Sequence, residues 1–141
     1  MKALLDTCVI SELVSKHPNP KVVEFVDSLE MEDAYLSAIT IGEIVKGIEK
    51  LSKSRRKSDL LAWLQDDLLV RFEGNIVALD TDVMIEWGRL SAKLEAAGKT
   101  MPAIDSLIAA TALAKKMTLV TRNTGDFEAA NVEMVNPWNE K

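Results

Sequence analysis

Asp105 is the first residue of this sequence whose surroundings call for a chemical explanation. It lies in the stretch Met101–Met117, where nearly every residue between Pro102 and Lys115-Lys116 is apolar or small. Pro102 suits the first turn of a helix and the two lysines suit the last. A helix apolar on all sides is normally buried. Asp105 shares its face with Ile108, Ala109 and Ala112, at steps of three, four and seven. An ionised carboxylate on that face costs several kcal/mol unless a partner meets it. The competing reading is simple decoration of the helix dipole, which stabilises by roughly 0.3–1 kcal/mol.

Other oxygen-bearing side chains fall at similar places. Asp6 closes the apolar run 2–5, where an Asx turn or helix cap is the alternative to a chemical role. Glu43 follows Thr40 with two residues between, the capping-box pattern, yet it also lies just beyond an expected strand at 34–37. Asn123 and Asp126 lie just past a strand expected at 118–121. Asp80 also ends a strand, but Thr81 and Asp82 beside it read as ordinary helix-start residues. Carboxylates crowded together raise one another's pKa. A hard divalent cation removes that penalty, and Mg²⁺ or Mn²⁺ takes oxygen ligands while leaving room for water and phosphate. Such an ion activates water and stabilises displacement at phosphorus. Zinc is not suggested, because His17 and Cys8 are each the single residue of their kind.

These residues converge only if the elements between them place them on one rim. Strands at 2–5, 34–37, 76–79, 118–121 and 132–135 alternate with helical patterns at 9–14, 21–30, 40–52, 59–72 and 81–97, before the helix that carries Asp105. That alternation predicts one α/β domain over residues 1–141, with a central, mainly parallel sheet flanked by helices. In such sheets the crevice lies beyond the carboxyl ends of the strands. A chain of 141 residues buries a real core. No apolar run reaches the roughly 20 residues of a membrane span, and Asp6 interrupts any signal peptide, so the expectation is a soluble cytoplasmic protein. The net charge of −5 disfavours a wide phosphate-gripping surface, without excluding nucleic acid held by a local patch or a metal.

Four short motifs carry a resemblance. Leu-Leu-Asp-Thr-Cys-Val-Ile-Ser-Glu-Leu at 4–13, Leu-Ser-Ala-Ile-Thr-Ile-Gly-Glu-Ile at 36–44, Asp105 in its small-residue helix, and Thr-Arg-Asn-Thr-Gly-Asp-Phe at 121–127 together resemble the PIN-domain nucleases. The likeness extends to Asn136-Pro137-Trp138 and points to the VapC and FitB toxins of bacterial toxin–antitoxin pairs. It implies a Mg²⁺-dependent endoribonuclease (Mn²⁺ being possible) with metal ligands Asp6, Glu43 and Asp105 and a fourth group from the 121–127 segment. Many relatives carry an acid two places after the threonine, where this chain has Asn123. Asp126 then supplies the missing charge, or the amide oxygen of Asn123 completes the site. Thr7 and Thr121 either orient these carboxylates or serve only as cap and strand residues.

The resemblance also implies an RNA substrate and a homodimer. It further implies an antitoxin, a small DNA-binding protein with a C-terminal segment that wraps the toxin, forming a higher assembly on operator DNA. Lys50, Lys53, Arg55, Arg56 and Lys57 form the one dense basic run, either a solvated connection or a rim that guides RNA. Surplus apolar positions in 21–29 and 59–72 are the candidate dimer faces. Two rival readings stand beside the toxin. One is a catalytically impaired PIN scaffold acting as a binding or regulatory subunit, which Asn123 keeps open. The other is an aspartyl phosphotransfer protein, disfavoured because Cys8 stands where a second acid belongs and no lysine ends the 118–121 strand.

Overall fold

The computed structural model describes residues 1–139. Five strands form one sheet: β1 (Ala3–Leu5), β2 (Ala34–Ser37), β3 (Ile76–Val77), β4 (Thr118–Val120) and β5 (Met134–Val135). Their order is β3-β2-β1-β4-β5 and every pairing is parallel. Parallel neighbours need crossovers, and helices supply them. These are α1 (Thr7–Leu13), α2 (Pro20–Asp27), α3 (Ala38–Glu49), α4 (Arg55–Trp63), α5 (Leu69–Arg71), α6 (Thr81–Ala96), α7 (Ala103–Lys115) and α8 (Thr124–Phe127).

The period of two along the strands divides the core into two layers. Ala3 and Leu5 of β1 join Val9, Val22, Val26, Ile44 and Leu64 in one cluster, while Leu4 joins Leu90, Leu94, Ile108 and Phe127 in the other. β4 repeats the pattern, with Val120 in the first layer and Leu119 in the second. Buried on both faces, β1 and β4 have no need of polar alternation.

Several boundaries differ from those expected. The helical pattern at 59–72 starts earlier, at Arg55, and is interrupted by a wide turn over Leu64–Leu68 before α5. α3 starts at Ala38 because Ser37, not Thr40, is its cap, accepting from Ile39 N at 3.1 Å. The capping-box reading of Thr40 and Glu43 is thereby overturned. Of the apolar positions in 21–29 and 59–72, Val22, Val26, Leu64 and Leu68 are buried, whereas Val70 is 61% exposed. Lys57 closes the end of α3, its Nζ donating to the Glu49 and Leu51 carbonyls at 3.1 and 3.2 Å. Asp80 is the helix-start residue expected of it. It caps α6 through Val83 N at 3.0 Å and pairs with Lys115 Nζ at 2.7 Å, clasping the start of α6 to the end of α7.

Candidate active site

The strand register brings the acids to one rim. Leu5 pairs with Val120, and Asp6 N donates to the Val120 carbonyl at 3.0 Å, so Asp6 and Thr121 leave the sheet side by side. β2 runs parallel to β1, and α3 starts directly from its carboxyl end, carrying Glu43 in its second turn. α7 precedes β4 and returns against the strands, so its first turn, with Asp105, lies at the same rim. α8 follows β4 and carries Asp126.

Asp6 is 6% exposed, the one buried acid among the described residues. It is both a helix cap and the centre of a network. One oxygen accepts from Thr7 N at 2.9 Å, and Oδ2 accepts from Thr121 Oγ1 at 2.8 Å. Because Asp6 caps α1, Thr7 is the first helical residue, and its hydroxyl is free to donate to Glu43 Oε1 at 2.6 Å. The two threonines thus act directly on carboxylates, the first of the two roles open to them from sequence.

Asp105 is half-buried and accepts no hydrogen bond from any described residue. Burial, first of all, pushes its carboxyl above the usual aspartate value, and the negative charges of Asp6, Asp126 and Glu43 push it further. The charges of all three acids, exposed Asp126 included, thus reach Asp105. Asn123 is exposed as well. Its backbone N–H donates to Thr121 Oγ1 at 3.0 Å, and its side chain caps nothing. No lysine or arginine pairs with any of the four acids among the described residues, whose ion pairs are Arg89–Glu86 and Lys115–Asp80.

The donor set tests whether a divalent cation fits. All four groups are hard oxygen donors, the kind that Mg²⁺ and Mn²⁺ take. Among the described residues no three acidic, histidine or cysteine side chains already stand as a ready-made cage for an ion. Mg²⁺ does not demand one, since it commonly binds through one or two carboxylates and keeps several waters. By donor chemistry the four side chains are of the kind such an ion takes, and the Asp105 carboxyl has no hydrogen-bond or ion-pair partner among the described residues.

Cys8 was not among the expected site residues, yet it sits inside the network. Its sulfur lies 3.8 Å from Asp6 Oδ2 and 3.7 Å from Thr121 Oγ1, and accepts from Arg122 N at 3.5 Å. Burial, more than any other cause, pushes its thiol up, so it fills space between the two rim turns as a neutral group. Nothing local in the sequence signals this, because the contacts that place the thiol are with Thr121 and Arg122, more than a hundred positions away. Arg122 stacks its guanidinium over Trp138 at 5.3 Å from the ring centroid, tying the Asn136-Pro137-Trp138 segment to the same rim. His17 is exposed and joins nothing. No helix of the described residues is long and apolar enough to cross a membrane.

Residues 3–132 match the PIN domain family. The chain is 41% identical to Toxin FitB of Neisseria gonorrhoeae over 137 residues, covering 97% of this chain and 99% of that one. It is 39% identical to the plasmid stability protein StbB of Pseudomonas syringae pv. tomato, covering 96% and 97%. It is also 35% identical to the VapC ribonuclease Y4jK of Sinorhizobium fredii, covering 96% of each. Among solved structures, it superposes on FitAB bound to an IR36 DNA fragment with a TM-score of 0.92 and 40% identity, covering 99% of this chain and 97% of that one. It superposes on VapBC2 of Rickettsia felis, bound to a DNA fragment from its promoter, with a TM-score of 0.80 and 27% identity, covering 96% and 98%. With sheet order, rim acids and full-length likeness in agreement, this chain belongs to the PIN domain family.

Proposed function

We propose that this protein is the toxin of a toxin–antitoxin pair and a metal-dependent endoribonuclease. The observation that carries the reading is the unpaired acid cluster at the strand ends, Asp105 foremost, in a chain 41% identical to a FitB toxin. Bound Mg²⁺ or Mn²⁺ would supply water activation and charge stabilisation at phosphorus. Asp6, Glu43, Asp105 and Asp126 would hold it, and Asn123 offers an amide oxygen beside them. Thr121 fixes the Asp6 carboxylate and Thr7 fixes that of Glu43. Asp105, with its raised carboxyl, retains a proton at Oδ to a higher pH than an ordinary aspartate.

The partners follow from the same reading. A groove of about 280 Å³ runs beside Glu43, floored by Ile10, Val14, Ile44, Leu60 and Trp63 and also lined by Arg56. It suits an apolar antitoxin segment that brings a basic side chain to the acids. Relatives solved as FitAB and VapBC assemblies on DNA support that partner and a higher assembly on operator DNA. Homodimerisation completes the proposal. The apolar surface left for it includes Ile104, 40% exposed beside Asp105, and the cavity it lines with Ile39 and Leu79. The site of action is the cytoplasm, where RNA is available.

The test incubates purified protein, free of antitoxin, with structured RNA and Mg²⁺, with and without chelator. Cleavage that requires the metal and disappears in Asp6→Ala and Asp105→Asn supports the reading. No cleavage of any RNA by a metal-bound chain would favour a binding scaffold instead.

A further inference from the structure

The acids of the site are held in different ways. Asp6 and Glu43 each receive a threonine hydroxyl, at 2.8 and 2.6 Å. Asp105 receives none from the described residues, so its place depends on the backbone of the first turn of α7. That turn carries a carboxylate on which the negative charges of Asp6, Asp126 and Glu43 all act. It also lacks the usual anchor, since Pro102 at its start makes no side-chain cap.

A brace from the neighbouring helix takes the place of the cap. Trp87 of α6 donates its indole N–H to Ser106 Oγ at 3.0 Å, and Ser106 Oγ donates to the Ala103 carbonyl at 2.7 Å. The direction is fixed by chemistry. Indole is only a donor, so Ser106 accepts from it and its single proton goes to Ala103. Ser106 is 5% exposed, so water cannot substitute freely for either bond. The relay therefore connects the middle of α6 to the first residue of α7, with Asp105 between the two points it ties.

We infer that Trp87 and Ser106 are positioning residues that hold the first turn of α7, and with it Asp105, at the metal site. The inference rests on the metal reading above. Its test is Mg²⁺ affinity, measured by titration calorimetry on the purified full-length chain, in wild type, Trp87→Phe, Ser106→Ala and the double variant. Trp87→Phe keeps an aromatic ring and removes only the donor side of the indole. Each single variant is expected to bind Mg²⁺ about 3- to 10-fold more weakly, the effect of one hydrogen bond. The double variant is expected to bind no more weakly than the weaker single, because both act through one relay. Should Trp87→Phe fail to fold, Ser106→Ala decides alone. Wild-type affinity in the single variants, or losses that multiply in the double, overturns the brace while leaving the metal site standing. A wild-type chain that takes up no Mg²⁺ overturns both.

Discussion

Thr7 and Glu43 lie 36 positions apart, and Thr7 Oγ1 donates to Glu43 Oε1 at 2.6 Å. The bond joins the first turn of α1 to the second turn of α3, so it ties together two crossovers that the sheet alone does not connect. A hydroxyl bound to a charged acceptor contributes roughly 1.5–3 kcal/mol, and the loss of such an outer partner commonly costs about 10- to 100-fold in metal affinity or activity. Thr7→Val is therefore expected to lower RNA cleavage by about 10-fold or more and to raise the Mg²⁺ concentration needed for half-maximal rate. Thr7→Ser, which keeps the hydroxyl, is expected to stay near wild type. Equal losses in both variants would assign Thr7 a packing role only.

Thr121 has a heavier duty than Thr7. It is fully buried, donates to Asp6 Oδ2 at 2.8 Å and accepts from Asn123 N at 3.0 Å. Thr121→Val fills the same space but strands a buried carboxylate oxygen and a backbone donor together. Urea denaturation is expected to show about 1.5–3 kcal/mol of lost stability, larger than for Thr7→Val. A loss under about 0.5 kcal/mol would mean that Asp6 finds another donor.

Much of this arrangement was legible from residue type and spacing. Asp105 stands out because a carboxylate on an apolar helical face needs an explanation, and in the fold its carboxyl is raised, by burial first and then by the charges of Asp6, Asp126 and Glu43. The rim followed from strand–helix alternation, because a helix that precedes a parallel strand must begin where the strands end. Other features were hidden for physical reasons. Glu43 three places after Thr40 satisfies a capping box as well as it satisfies a site, and only the fold, in which Ser37 takes the cap, removes the first of these readings. Cys8 looked inert because a lone thiol has no local signature, whereas its contacts reach Thr121 and Arg122, far away in sequence. The Trp87–Ser106 bond spans two helices, and no periodicity within either one encodes it.

Asp105 also sets a pH dependence. Its carboxyl is raised, by burial first and then by Asp6, Asp126 and Glu43, so folding favours the protonated form. The stabilising contribution is fully present below the ordinary aspartate range and is lost as pH rises through the raised value. At neutral pH and without metal, ionised Asp105 is a liability. Asp105→Asn is expected to melt higher than wild type at pH 7 in chelator, by a few degrees at most because the group is partly solvated. The gap is expected to close below the carboxylate range. Mg²⁺ should raise the wild-type melting temperature by mass action and leave Asp105→Asn nearly unmoved. A variant that melts lower than wild type at pH 7 in chelator would mean that Asp105 is already paired.

The fourth position of the site separates Asp126 from Asn123. Both are exposed, Asn123 at the start of α8 and Asp126 in its one turn, but they act differently on the rest. The charge of Asp126 reaches Asp105, whereas the bond that places Asn123 comes from its backbone N–H to Thr121, leaving its amide without a capping role. If charge is what an ion needs from this turn, Asp126→Asn should weaken Mg²⁺ binding and slow cleavage by about 10-fold, near the lower end for a partner of a metal site. Asn123→Ala should cost less than about 3-fold, since it preserves the backbone bond and removes no charge. Adding Asn123→Asp to Asp126→Asn should then recover part of the loss, because it returns a carboxylate to the same turn. The reverse order, a large loss in Asn123→Ala and little in Asp126→Asn, would make the amide oxygen the fourth group. Asp126 would then act on Asp105 only through its field.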